Sequence, residues 1–425
     1  MLFSRFVKNC KGGVAPLVAL SIVPLITGVG AAIDYTRASS TRTALQNSLD
    51  AAALMLSKEA PTTSAAQLQA DATAYITSLF TRPDTNGLTV TATYSSEGGS
   101  QVLLTGETSM NTTFMRLLGY EQIDITASST AKWGNTRLRV ALVLDNTGSM
   151  AQDGKMDALV TASQNLLAQL HSAAVNAVDV YVSIIPFSKD VNLDPVNYQQ
   201  PWISWDSWNA ANGTCSDSSR HSQTSCLSHG KIWTPADHST WNGCVTDRDQ
   251  NFDTTNDLPV AGGTLYPAEQ YGSCSVSALG LSNDWDALAA KIGAMKPTGN
   301  TNQAIGLQVG WQSLTGAPFT VPSIDTKYRY QQVIILLTDG LNTEDRWYST
   351  ASSIDTRESK TCANIKNAGI TIYTVQVNTG GDPKSQLLED CASSKSKFFL
   401  LTSADEIVTT FGQIGTALTN LRLAM

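Results

Sequence analysis

Arg137 to Met150 reads Arg-Leu-Arg-Val-Ala-Leu-Val-Leu-Asp-Asn-Thr-Gly-Ser-Met. Val140 to Leu144 is an unbroken apolar run, the pattern of a strand buried on both faces of a parallel sheet. It stops at Asp145-Asn146-Thr147-Gly148-Ser149, where a carboxylate and two hydroxyls fall at alternating positions. Hard oxygens on a turn at the carboxyl end of a strand suit a hard divalent cation such as Mg2+.

After this stretch, strand and helix patterns alternate. Helical periodicity runs from Lys155 to Leu170, with Leu159, Ala162, Leu166 and Leu170 on one side. Strand-like runs follow at Val178 to Pro186, Gln332 to Leu337, Ile370 to Val377 and Phe398 to Leu401. Helical stretches at 285–295, 303–314, 354–368, 384–392 and 404–423 fall between or after them. Such alternation predicts a doubly wound α/β domain over 137–425, a parallel sheet covered on both faces with right-handed crossovers. Residues 189–283 interrupt it. They are rich in Trp, Ser, Asn, Asp, Thr and Gly, lack a period and carry four cysteines, so the stretch needs staples to stay ordered. Cys215, Cys226, Cys244 and Cys274 allow three pairings; we expect nearest neighbours to join, Cys215 with Cys226 and Cys244 with Cys274. Cys362 and Cys391 supply a third bridge.

Upstream, Val14 to Ile33 holds no charge and has the length of a membrane-spanning helix. Arg5, Lys8 and Lys11 precede it, and the first acid is Asp34, so the flank 1–13 is expected to stay cytoplasmic and the rest to be exported. A cleaved signal peptide, with Gly30 and Ala32 near the cut, is the other reading and exports the same side. We favour an anchor in a bacterial inner membrane at 14–33. Leu45, Leu49, Ala52 and Leu56 then mark one face of a stalk helix over 34–60, ended by Pro61. Residues 61–133 read as a small α+β domain. Its helices lie at 65–80 and 112–118, and its strands at 88–94, 101–105 and 123–131.

The chain has 425 residues, 42% hydrophobic and only 15% charged, with a net charge of −8 and no basic stripe. Nucleic acid is therefore excluded as a partner class. Six of the seven cysteines follow the apolar run, as an oxidising compartment favours.

Two more segments complete the polar turn. Pro297-Thr298-Gly299-Asn300-Thr301-Asn302 opens a helix and offers the Thr301 hydroxyl. Ile334-Ile335-Leu336-Leu337-Thr338-Asp339-Gly340 is a second buried strand ending in a carboxylate. Loops at the carboxyl ends of parallel strands converge, so the three segments can share one crevice. Asp145, Thr147, Ser149, Thr301 and Asp339 resemble the metal-ion-dependent adhesion site (MIDAS) of the von Willebrand factor A (vWA) family. Thr147 stands where Ser is commoner and keeps the hydroxyl. The resemblance implies that three hydroxyls bind Mg2+, or Mn2+ or Ca2+, directly. The two Asp would act largely through water, and the sixth position would be left for an acidic group of a protein partner.

The wider chain resembles the TadG-like proteins of tight-adherence (Flp) pilus assembly. Gly12-Gly13-Val14-Ala15, Val29 to Arg37 and Leu45-Gln46-Asn47-Ser48-Leu49-Asp50-Ala51-Ala52-Ala53-Leu54 carry the likeness at the N-terminus. Trp241-Asn242-Gly243-Cys244-Val245-Thr246-Asp247-Arg248 and Thr361-Cys362-Ala363-Asn364-Ile365-Lys366 carry it further on. This implies a partner among pilus or Tad secretion components. Processed pseudopilins carry Glu five residues after the cleaved Gly; here the position holds Leu17 or Val18, so that processing is not expected. The alternative is a structural assembly subunit whose vWA domain needs no metal.

Other motifs are weaker. Asp247-x-Asp249-x-Asn251-x-Asp253 has calcium-loop alternation, but Phe252 and Leu258 replace the required Gly and Glu. His221, Cys226, His229, His238 and Cys244 match no compact zinc spacing. No nucleophile elbow, P-loop or dinucleotide fingerprint is present, so an enzyme is not expected.

Overall fold

In the computed structural model, residues 14–96, 99–133, 136–381 and 383–423 are described. The cytoplasmic segment expected at 1–13 lies outside them. The chain divides into two units, Met1–Asn135 and Thr136–Ala424.

The first unit begins with one continuous helix, α1 (Ala15–Leu56), 42 residues long. It covers both the expected span and the expected stalk, so the division between them is one of environment. Leu20, Leu25 and Val29 are exposed, whereas Leu45, Leu49, Ala52 and Leu56 are fully buried. By length and composition this helix can cross a membrane. Its buried face, with α2 (Ala65–Leu79), packs on an antiparallel sheet of β1 (Thr85–Ser95), β2 (Ser100–Asn111) and β3 (Gln122–Trp133). The order is β1-β2-β3. The strands run longer than their apolar cores suggest, because rows of Thr and Ser on the outer face continue the pairing. Between β2 and β3 the chain turns through a short 3-10 segment, Met115–Leu118.

The second unit is built on a sheet whose centre is parallel. Its main elements are β4 (Thr136–Asp145), α3 (Lys155–Ala173), β5 (Val180–Phe187), β6 (Val191–Asn192), β7 (Cys244–Val245), β8 (Leu279–Ser282) and α4 (Trp285–Gly293). They continue with α5 (Gln303–Thr315), β9 (Arg329–Thr338), α6 (Ala351–Asn367), β10 (Thr371–Val377), α7 (Gln386–Cys391), β11 (Phe398–Leu401) and α8 (Asp405–Leu423). The order is β7-β6-β5-β4-β9-β10-β11, with β8 also paired to β5. Strands β5, β4, β9, β10 and β11 are parallel; β6, β7 and β8 are antiparallel additions from the insertion and its return.

The apolar run of β4 splits between two cores. Leu138, Val140, Leu142 and Leu144 face Leu159, Leu166 and Phe411 on α3 and α8. Ala141 and Val143 face Ile305, Leu307 and Val309 on α5. Two glycines let α5 approach: a Cβ at Gly306 or Gly310 would strike Phe187 or Val143.

The insertion has little regular structure. Cys215–Cys226 and Cys244–Cys274 are bonded within it, and Cys362–Cys391 joins α6 to α7. Trp202, Trp208 and Trp241 are buried and continuous with the α5 side of the sheet core. A fourth staple is polar. Arg248 is 1% exposed and donates to the carbonyls of Phe252, Thr255, Asp257 and Thr264.

Candidate functional site

After β5 the chain crosses back to the other side of β4, so the winding reverses between β4 and β9. A crevice is expected at the carboxyl ends of strands flanking such a reversal. The register pairs Leu144 with Leu337. Asp145 therefore ends its strand beside Thr338, and Asp339 lies one residue beyond.

These side chains are joined by hydrogen bonds. Asp145 is fully buried; its Oδ1 accepts from the Thr147 amide at 2.8 Å and its Oδ2 from the Thr338 hydroxyl at 2.7 Å. The Thr147 and Ser149 hydroxyls lie 3.1 Å apart, and Ser149 donates to Asp339 Oδ1 at 2.7 Å. The other Asp339 oxygen accepts from Lys155, whose ammonium is buried with it. Gly154, with φ +70°, provides the left-handed turn that starts α3 at Lys155. Gly148 and Ser149 are exposed, so the cluster reaches the surface. Burial, then the charge of Asp339, push the Asp145 carboxyl up to about 6, against the Thr147 and Thr338 bonds that lower it.

The loop that carries Thr301 is tied to the Asp145 turn through its backbone, and the bonds shown for Thr301 itself are those of its amide and carbonyl. Asn146 donates its side-chain amide to the Lys296 carbonyl at 2.6 Å and accepts at its own carbonyl from the Thr298 amide at 2.7 Å. The Gly148 amide donates to the Gly299 carbonyl at 3.0 Å. On its far side Thr301 donates its amide to the Thr343 hydroxyl at 2.8 Å, and its carbonyl accepts from the Thr343 amide at 2.9 Å. Thr301 is 5% exposed. The loop is thus tied both to the Asp145 turn and to the segment after Asp339.

Three contributors escape a reading of the sequence. Thr338 looks like one more strand residue. Asn146 occupies a variable position of the motif. Lys155 opens an amphipathic helix, where a lysine ordinarily faces water. Only the first carries a signal, adjacency to Asp339.

The cluster offers two carboxylates and hydroxyls, all hard oxygens fit for a hard divalent ion. Among the described residues no group of three or more His, Cys, Asp or Glu is arranged to hold a metal. The acidic run of the insertion is taken up by arginines: Arg357 pairs with Asp253, and Arg346 with Asp249 at 2.7 Å. Of the imagined zinc ligands, Cys226 and Cys244 are in disulfides and His238 stacks on Trp205.

Residues 274–413 match the von Willebrand factor type A domain family model. Over those residues the second unit carries a vWA fold. Residues 12–55 match a Flp pilus-assembly TadE/G-like family model. The vWA match begins where the insertion is closing, so it covers the half from α4 to α8 and leaves the Asp145 strand to be placed by topology. No curated protein matches the chain. Among solved structures, the pilus adhesin SpaC from Lactobacillus rhamnosus GG is 14% identical with a TM-score of 0.39, covering 80% of this chain and 35% of its own. The vWF domain of the type V pili tip protein Mfa5 from Porphyromonas gingivalis is 11% identical with a TM-score of 0.39, covering 68% of this chain and 97% of its own. Proximal thread matrix protein 1 from the mussel byssus, with a zinc-occupied MIDAS motif, is 13% identical with a TM-score of 0.34, covering 67% and 46%.

Proposed function

We propose that this is a membrane-anchored, exported pilus-assembly or adhesion protein that binds rather than catalyses. Its vWA domain would capture an acidic side chain of a protein partner, a pilus or Tad secretion component, through a divalent cation. Asp145, Thr147, Ser149, Thr301 and Asp339 would hold that cation, of Mg2+ type. The observation carrying this is the hydrogen-bonded meeting of Asp145, Thr147, Ser149 and Asp339 at the reversal of the sheet. A bound cation supplies positive charge that a carboxylate can neutralise. Lys155 deepens that effect: its ammonium balances part of the Asp339 charge, so the loaded site keeps a net positive charge and favours an anion. The test is binding of the chain to pilus and Tad secretion components with Mg2+ and with chelator. Binding that disappears with chelator supports the reading; equal binding in both defeats it.

A second reading rests on its own observation. Every oxygen of Asp145 and Asp339 already accepts a hydrogen bond from the protein, so the cluster is satisfied as it stands. A structural subunit with a metal-independent vWA domain would use it so. Normal piliation by an Asp145→Ala, Asp339→Ala variant would favour that reading.

A further inference from the structure

The turn between β2 and β3 is unusual for this protein's surface. Residues 114–120 read Phe-Met-Arg-Leu-Leu-Gly-Tyr, five large apolar side chains and one cation. Phe114 and Met115 are half-buried, but Leu117 is 78% exposed, Leu118 55% and Tyr120 61%. They form an apolar cluster at one tip of the domain, whose strands expose mainly Thr, Ser and Asn. The tip is ordered. Its Thr112 hydroxyl donates to the Tyr120 carbonyl, the Tyr120 amide to the Met115 carbonyl at 3.1 Å, and Gly119 takes the left-handed conformation that closes it.

What the tip is fastened to gives it meaning. Asp34, the first charge after the apolar run of α1, is fully buried beneath it. Its carboxylate accepts from the amides of Thr113 at 3.1 Å, Phe114 at 2.7 Å and Met115 at 2.8 Å. Arg37 adds a bond to the Thr113 hydroxyl at 3.2 Å. Three charge-assisted bonds to one buried carboxylate fix the turn to the helix. Phe114 then reaches past Asp34 toward the apolar end. It fills the space beside Gly30, where any Cβ would collide with its ring, and lies with Ile26, Val29 and Ile33. Gly30 is about 6 Å further along the axis than Asp34, at 1.5 Å per residue. A residue of the turn thus packs against the segment read as crossing the membrane.

We infer that this turn is a second membrane contact: Leu117, Leu118 and Tyr120 enter the interfacial zone of the bilayer that α1 spans, with Arg116 at the phosphates. The side-chain set suits that zone, with aliphatic groups below, an aromatic at the boundary and a guanidinium for anionic headgroups. Tyr35, 72% exposed at the same level of α1, falls in the same belt. The contact would fix the tilt and rotation of the exported domain on the membrane, which a lone helix leaves free.

The inference rests on the anchor reading of α1, and the experiment separates the two. The full chain, with Cys10→Ser and either Leu118→Cys or Thr93→Cys carrying a polarity-sensitive fluorophore, is reconstituted into phosphatidylethanolamine–phosphatidylglycerol vesicles. Thr93 is exposed near the opposite end of the sheet. Flotation first reports the anchor. The Leu118 probe should then be blue-shifted, quenched by lipids brominated on their acyl chains and shielded from iodide, with the reverse at Thr93. A chain that floats while its Leu118 probe is as open to iodide as the Thr93 probe overturns the membrane contact alone, even if added pilus proteins later shield it. A chain that fails to float overturns the anchor reading and the contact with it.

Discussion

The sheet of the vWA domain and its 189–283 insertion are joined along β5, β6 and β7, yet they are held by different physics. The sheet is an apolar sandwich: β4 and β9 send alternate residues into two cores, and burial dominates what keeps them there. The insertion borrows the edge of that core for three tryptophans and takes the rest of its order from two disulfides and a buried guanidinium. Cooperative apolar packing should fail globally. Local cross-links should fail locally, leaving the sheet folded.

That contrast can be broken most strongly at Arg248. Arg248→Met strands up to four carbonyls and should cost about 4 kcal/mol by denaturant titration. The loss should show first as protease cleavage within 249–264 while the far-UV signal of the sheet persists. Leu142→Ala, at about 2–5 kcal/mol, should instead lower one global transition; if both variants melt alike, the two regions are not physically distinct.

The disulfides come next. Replacing Cys244 and Cys274, separated by 30 residues, should cost about 4 kcal/mol, and Cys215 with Cys226, separated by 11, about 3 kcal/mol. Hydrogen exchange should localise the loss to the insertion.

A pH-dependent effect sharpens the other side. Glu358 on α6 is fully buried, and desolvation pushes it up to about 8, although Asn342 donates to it at 2.7 Å. The folded state therefore holds a proton that the unfolded state releases above its ordinary value of 4.5. Stability should fall as pH rises from about 4.5 to about 8, by at most ~1.4 kcal/mol per pH unit, and level off above. Glu358→Gln should remove that part of the slope in melting scans.

The smallest effect concerns Lys155. Removing its charge in Lys155→Met should tighten divalent-cation binding roughly tenfold, a Coulombic gain of about 1.4 kcal/mol, measured by calorimetry.

The same contrast explains what could be read from the chain alone. Val140 to Leu144 and Ile334 to Leu337 announce their strands because burial on both faces leaves an unbroken apolar record. Asp145 and Asp339 stand out because they end those records. Alternation along the chain then implies the sheet and the crevice. The antiparallel strands β6, β7 and β8 have no such record: two or four residues long, they are strands because a neighbour offers an edge. Arg248 and Lys155 are invisible for a related reason. Each is a polar group whose meaning comes from partners up to 184 positions away, and composition treats both as surface. Asp34 is intermediate: its place after an apolar run is plain, but its three amide donors lie about 80 residues on.

In the proposed site Asp145, Thr147, Ser149, Thr301 and Asp339 would together hold one divalent ion. Calorimetric titration of the metal-stripped full chain with Mg2+ and Mn2+, beside Asp145→Ala, tests it most directly. The account predicts uptake of one ion per chain by the wild type and none at that site by the variant. Equal uptake by both, or none by either, would contradict it.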